Sequence, residues 1–360
     1  MAVVGSSPGG DLATLRSRLT AFYKSAGDCT QTQFCTEGGY HVKYPALDGC
    51  AKTCALSANF SSTLCADGSW QDVNYTLSSH SSVWGSIWPP VAHLERMGAM
   101  ARAVNCDACG ASGTQPKLSQ LQAALSFWLA MKRPCFEGKN PNTPGHITAA
   151  PGCIEGGWWW GCIGEPQWLA MITFLLQAKE PTAVPAAQLK TIGQVLDLGA
   201  PRGDGENLLW TQQVTINNGA LFKNSSKVKV RATLKLLLLL VLLPLTLLPQ
   251  SAFENMWTTV VFSDPGDGIE VDGSFHFHGK ILYSGGYGGD EALQLSESVN
   301  WTAGTAWAPP TAALKVFATY MLDGQRWMVR SSKDAGGVQR TWYDSSVKGR
   351  EVHTYKDPCR

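Results

Sequence analysis

Sustained alternation of apolar and polar residues, the mark of half-buried strands, is almost missing from this 360-residue chain. The best short strand candidate is Thr258–Phe262. A sandwich or barrel is therefore excluded. Charge of one dominant sign is missing too: 29 Lys and Arg against 28 Asp and Glu leave a formal net charge of +1. No long basic run favours nucleic acid, and there is no acidic tail. No apolar run reaches the ~20 residues that a membrane-spanning helix needs. The longest, Leu236–Leu248, is interrupted by Pro244 and reads as a buried hairpin, an insertion or a gene-model error rather than a membrane anchor. The opening residues, MAVVGSSPGGDL, have neither a basic nor an apolar segment and do not read as a signal peptide. Cys106-Asp-Ala-Cys109 is a CxxC without a second such pair or a His at finger spacing, which argues against zinc. A repeat of fixed period is also absent.

What is present is unusual in kind. Eleven cysteines point to an oxidising compartment, extracellular or along the secretory pathway. Five of them lie between Cys29 and Cys65 in a polar, glycine-containing stretch that predicts a stapled loop region. Cys153 and Cys162 bracket a tryptophan run and could bridge to brace it; an odd total leaves at least one thiol free or paired outside the chain. Sequons at Asn59, Asn74, Asn224 and Asn300 agree with secretion. Fourteen tryptophans beside thirty-seven glycines fit either aromatic faces that stack on sugars or a Trp-rich core.

Helical spacing recurs along the chain. Leu12, Leu15, Leu19, Phe22 and Tyr23 share one face of a helix that Asp11 is placed to cap. Val91, Leu94, Met97 and Met100 follow Pro89-Pro90, and Leu118, Leu121, Leu125 and Trp128 make another stripe. Pro166 can start a helix carrying Leu169, Ile172 and Leu176; further helices are predicted through Leu189–Leu196, over Asn207–Phe222 and through Leu314–Met321. Helix after helix joined by long loops predicts an all-α fold with function on the loops. Residues 1–82 form an N-terminal helix and Cys-rich region, either part of the main body or an appendage. Residues 83–360 form the main helical domain, with a Leu-rich insertion at about 234–250.

Four segments carry possible chemistry. Asp272–Gly288 (DGSFHFHGKILYSGGYG) puts His278 and Tyr287 on a glycine-rich loop with Tyr283 between them, a plausible proton-transfer pair. Its glycines would let a substrate approach the backbone closely. Trp158-Trp159-Trp160 beside Ile163-Gly164-Glu165-Pro166 offers an aromatic platform, or a core with one surface ring. Asn207, after Gly203-Asp204-Gly205-Glu206, either caps a helix or donates its amide to an anion there. Arg350 is either a solvated charge or a partner for a carboxylate or sulfate.

Together these segments resemble polysaccharide lyase family 8, the hyaluronate, chondroitin AC and xanthan lyases. The family pattern DGSaxxHxxxxYxGxYG, with a an aromatic residue, matches Asp272 through Gly288 at every written position. NWWxxxIGxP resembles Gly157 through Pro166, with Gly157 in place of Asn; TGxN resembles Asp204 through Asn207. The closing D…GRxxSR resembles Asp344 through Arg350, with Thr354 where the second Arg falls. The resemblance runs from roughly Trp84 to Tyr355. It implies an incomplete α/α toroid of helical hairpins, and a chain ending at Arg360 stops about where the family's helical domain gives way to β-sheet domains. It also implies that Asn207, His278, Tyr287 and Arg350 are catalytic and that Trp158, Trp159 and Tyr283 hold the substrate.

The implied reaction is β-elimination on a polymer containing 4-linked uronic acid, such as hyaluronan or chondroitin, with no metal or organic cofactor. Asn207 would neutralise the carboxylate, and Tyr287 would protonate the leaving oxygen. Either His278 or Tyr287 would take the C5 proton, the latter needing its pKa drawn down from about 10 by a cation such as Arg350. Two other classes stand beside this one. The first is a non-catalytic glycan-binding remnant of such a lyase. The second is a toroidal glycoside hydrolase using carboxylates such as Asp204, Glu206 or Asp272.

Overall fold

A computed structural model of the chain describes residues 8–25, 49–75, 90–132, 160–199, 205–224, 228, 252–263, 266–277, 281–285, 287–333 and 339–343. Helices α1 (Pro8–Ser25), α2 (Gly49–Thr63), α3 (Val91–Ala103), α4 (Asp107–Ala111) and α5 (Leu118–Lys132) come first. A π-helical turn, Trp160–Gly164, leads into α6 (Glu165–Lys179), followed by α7 (Ala186–Leu198), α8 (Gly205–Leu221) and α9 (Ala252–Thr259). Three short strands, β1 (Gly268–Ile269), β2 (Phe275–Phe277) and β3 (Ile281–Leu282), form an antiparallel sheet. Then come α10 (Tyr287–Thr302), α11 (Thr311–Thr319), a second π-helical turn at Tyr320–Gln325 and α12 (Arg326–Met328). The antiparallel pair β4 (Val329–Lys333) and β5 (Gln339–Tyr343) closes the described part.

The predominance of helix agrees with the sequence, and three local expectations fail. Gly49–Thr63, within the stretch read as a stapled loop region, is the helix α2. Thr258 and Thr259 end α9 instead of opening a strand, because Phe253, Met256 and Trp257 bury one helical face. Only Phe262 bridges the sheet, to Ile269. Asp11 is not an N-cap: it lies inside α1, is buried, and accepts a hydrogen bond from Ala306 N at 3.2 Å. The prolines behave as expected, Pro90 standing just before α3 and Pro166 in the first turn of α6. The Leu-rich run lies outside the described residues, among which no helix is long and apolar enough to cross a membrane.

The chain divides into two compact units, Met1–Arg16 with Pro201–Tyr355, and Ser17–Ala200 with Lys356–Arg360. In the second, α3 packs on α2, α5 and α6. Gly98 makes this possible, since a side chain there would strike the Trp168 ring of α6. His93 is fully buried between Phe127 and Trp128, with ring centroids at 5.6 and 5.3 Å. The Ala124 carbonyl can only accept, so Nε2 carries the proton and donates at 3.0 Å, leaving Nδ1 to accept from Tyr75 Oη at 2.9 Å. Burial pushes this imidazole down to about 3, so it is a neutral core histidine. A disulfide, Cys54–Cys109, ties α2 to α4, while Cys65 is a half-exposed free thiol. Cys162 is buried in the first π-helical turn, and Cys153 lies outside the described residues.

In the first unit, α8 packs against α9 and α10. Arg16 Nη1 donates to the last carbonyls of α8, Ala220 O at 3.0 Å and Leu221 O at 2.8 Å, covering acceptors that the helix itself leaves open. Phe253, Trp257 and Trp307 stack nearby, and Trp257 Nε1 donates to Trp307 O at 3.0 Å.

Buried acids give the fold a pH dependence. Desolvation pushes Glu291 and Glu297 of α10 up to about 8 and Glu95 of α3 up to about 7. Each stabilises the folded chain fully below its unfolded value near 4.5, and that contribution is lost as the pH rises through 7 to 8. His93 acts in the opposite sense: its contribution is present above about 6.5 and lost as the pH falls toward 3. Three carboxyls outweigh one imidazole between those limits. Thermal melting is thus expected to be highest near pH 5 and to decline toward pH 8, with Glu291→Gln flattening the alkaline side.

Candidate active site

The site grows from the turn that begins the His/Tyr segment. Asp272 Oδ1 accepts from Ser274 N at 2.9 Å and from Ser274 Oγ at 2.7 Å, and these bonds hold its carboxyl below the usual range. Gly273 follows with φ of +82°, a left-handed conformation natural to glycine. Its backbone rests directly on Gly324 in the second π-helical turn: a Cβ on Gly273 would come within 2.8 Å of Gly324 N. The turn is therefore seated on a fixed platform. Asp272 is committed to building that turn, which removes one of the carboxylates a hydrolase would draw on.

From this anchor β2 runs with Phe275 and Phe277 buried and His276 half-exposed on the other face, as strand alternation dictates. His276 Nε2 meets Ser274 Oγ at 3.2 Å, and its Nδ1 stands 3.9 Å from Glu270 Oε1. After β3, Tyr283 N donates to Phe275 O at 2.8 Å, and Tyr283 O accepts from Gly288 N at 3.0 Å. The Tyr320 hydroxyl donates to Gly288 O. A side chain on Gly288 would press on Tyr320 Oη, Tyr283 O and Phe275 Cβ, all at 3.0–3.1 Å. At this glycine the space expected for a substrate is filled by the protein's own packing, which fixes the start of α10.

Tyr287 is the first residue of α10 and is half-buried. Three rings surround it: Phe277 with centroids 4.3 Å apart, Tyr283 edge-on at 5.2 Å, and Trp210 at 6.2 Å. Trp210 belongs to α8, one helical turn after Asn207, so the two share a face of that helix. The Trp210–Tyr287 contact brings the Asn207 end of α8 against the tyrosine. Asn207 is the third residue of α8 and not its cap. Its side chain is half-buried, and among the described residues its amide makes no hydrogen bond. It thus stands at the positive end of the helix dipole.

Of the residues singled out in the sequence, Tyr283 and Tyr287 meet ring to ring, and Asn207 lies one helical turn before Trp210, which also meets Tyr287. Tyr283 is 6% exposed and its ring meets that of Tyr287, so it offers little open surface. His278, Trp158, Trp159, Arg350 and Asp204 lie outside the described residues. The Ile163-Gly164-Glu165-Pro166 motif is buried, and Glu165 Oε1 accepts from Trp128 Nε1 at 2.9 Å, which gives that glutamate a structural partner. Three residues of the site escaped the sequence reading: Trp210, Phe277 and Tyr320. Trp210 carried a usable signal in its i+3 spacing from Asn207. Tyr320 carried none, since it acts from a helix remote in sequence.

Comparison with known proteins bears on the fold and the family. Residues 55–333 match the family model of the N-terminal alpha-helical domain of polysaccharide lyase family 8. No curated protein sequence matches the chain. Among solved structures, a chondroitinase AC lyase studied in oligosaccharide complexes superimposes with a TM-score of 0.60 at 17% identity, covering 90% of this chain and 38% of the enzyme. Paenibacillus xanthan lyase gives 0.57 at 17% identity over 88% of this chain and 26% of its own. Streptomyces coelicolor A3 chondroitin AC lyase, in complex with chondroitin sulphate, gives 0.54 at 20% identity over 87% and 35%. At such identities the structural likenesses speak for the fold alone, and the chain spans well under half the length of each. The family model, which matches more than three quarters of the chain, establishes kinship: this chain belongs to polysaccharide lyase family 8.

Proposed function

We propose that the chain cleaves an acidic, uronic-acid-containing polysaccharide by β-elimination, with Asn207 and Tyr287 at the reacting sugar. The observation that carries this reading is the Trp210–Tyr287 ring contact, which brings the first turns of α8, where Asn207 lies, to a phenol on a second helix. Elimination asks for that combination. The C5–H bond breaks as the C4=C5 double bond forms, and the C4–O4 bond breaks with a proton delivered to O4. Charge builds on the neighbouring carboxylate during the first change, and donors placed there lower the barrier. Asn207 fills that role, and the helix dipole adds to it. Tyr287 protonates O4, and His278 stands nine residues before it in sequence as the other candidate for the C5 proton. Trp158 and Trp159 serve as the polymer track, and Arg350 as the cation beside the phenol or the substrate's acidic group. The steps use these side chains alone. The Cys54–Cys109 disulfide and the sequons support an extracellular or secretory location.

The experiment incubates the chain with chondroitin and with hyaluronan and follows ultraviolet absorbance of the unsaturated uronate alongside new reducing ends. Both should rise together. Reducing ends without absorbance would mean hydrolysis, and binding without either would mean a glycan-binding protein. Asn207→Ala should lower kcat by about 10²–10³-fold, the typical cost of removing one oxyanion-type donor.

A further inference from the structure

The second π-helical turn, Tyr320–Gln325, presents its two end residues in a way that an α-helix does not. In an α-helix successive residues are about 100° apart, so residues five apart point about 140° away from each other. In a π-helix the hydrogen bonds join residues five apart, which stacks such residues on one side. Here Arg326 N donates to Met321 O, five residues back. Tyr320 and Gln325 are also five apart, and both are buried, at 0% and 4% exposed. Both reach the same loop.

That loop carries Tyr287. Gln325 Nε2 donates to Ser284 O at 2.9 Å, three residues before the tyrosine. The Tyr320 hydroxyl donates to Gly288 O, immediately after it. Gly324 rests on Gly273, in the turn that opens the strand bringing Phe277 to the Tyr287 ring. One short turn therefore holds the backbone on both sides of the phenol. The Gln325 amide has one useful orientation, because its oxygen would repel the Ser284 carbonyl while its NH₂ donates to it. Ser284 is 1% exposed, so water does not compete for that carbonyl. Gln325 Oε1 has no hydrogen bond among the described residues. A buried glutamine that leaves its oxygen unpaired to place its donor is a poor choice for packing alone.

We propose that Gln325, together with Tyr320, is a positioning residue for Tyr287. The π-helical turn fixes the loop so that the phenol stands at the reacting sugar. The catalytic half of this inference rests on Tyr287 as the acid of the elimination; the hold on the ring does not. Proton delivery to O4 demands close placement, and a shift of about 1 Å can cost about 10²-fold in rate.

The test labels the full chain with 3-fluorotyrosine and identifies the Tyr287 fluorine signal as the one that Tyr287→Phe removes. Gln325→Met keeps the length of the side chain and deletes the donor. It should shift or broaden the Tyr287 signal while those of Tyr23 and Tyr75, assigned in the same way, stay in place. On chondroitin it should lower kcat by about 10–100-fold and leave KM within about twofold. Gln325→Glu should match the parent in acid, where a neutral carboxyl donates to Ser284 O. It should lose both the signal and the rate as the pH rises and the carboxylate turns against that carbonyl. This second variant decides the matter if Gln325→Met fails to fold. Leu322→Ser, on the exposed side of the same turn, should behave as the parent. A Tyr287 signal that Gln325→Met leaves in place, a kcat that does not fall, or the same changes from Leu322→Ser would each overturn the proposal. A parent that forms no unsaturated product would sink the elimination reading instead, and the fluorine signal then decides the positioning by itself.

Discussion

Replacing Tyr287 by Phe is expected to lower the rate of unsaturated-product formation by about 10²–10⁴-fold, the range set by loss of a positioned general acid. The substitution removes one oxygen and keeps the ring. The contacts to Phe277 at 4.3 Å, Tyr283 at 5.2 Å and Trp210 at 6.2 Å are contacts of the ring, so they survive. Thermal melting should therefore stay within a few degrees of the parent. Tyr287→Ala is the contrasting variant, because loss of the ring opens a hole among three aromatic neighbours and should cost about 3 kcal/mol of stability. The pair separates chemistry from packing. A Phe variant that keeps the parent rate would sink the assignment of Tyr287 to proton transfer.

The second large effect is structural. Gly324→Ala should destabilise the fold by about 3 kcal/mol or more. The added methyl would fall inside the Gly273 carbonyl group, and both partners are backbone, so no flexible side chain can yield. Separating them means lifting the Asp272–Ser274 turn from the π-helical turn, and with it β2, which delivers Phe277 to Tyr287. Activity should fall with stability. Gly273→Ala should behave similarly, with added strain from its φ of +82°. Urea unfolding of the two variants measures this. A loss below about 1 kcal/mol would show that the turn is not clamped as described.

The sequence made the helices legible because each buries one apolar face, and Leu94, Met97, Leu121, Leu169 and Ile192 are all in the core. It misplaced Thr258–Phe262, where two threonines and three hydrophobes look like a strand, yet the threonines end a helix whose buried face precedes them. Asp11 looked like a cap because caps are local, whereas its real partner, Ala306 N, is 295 residues away. For the site, the Asp272–Gly288 pattern named Tyr287 but gave a mistaken reason for one of its glycines. Gly288 serves a tight internal packing against Tyr320, which spacing within the motif cannot show. Trp210 is the reverse case. Helical periodicity already put it on the Asn207 face, and only the ring meeting Tyr287 gives that face its meaning.

The anchoring of α1 bears on how the chain is made. Asp11 waits for Ala306, and Arg16 waits for the end of α8, 204 and 205 residues further on. A ribosome adding about 5–20 residues per second needs on the order of 15–60 s to pass from the first of these positions to the last. Over that interval the helix has emerged while Leu12 and Leu15, which end up buried, lack their native cover. Closing so long a loop is slow as well as late. Helix α1 is therefore made long before its partners and docks late, and newborn chains should depend on a holdase that binds an apolar helical face during that wait.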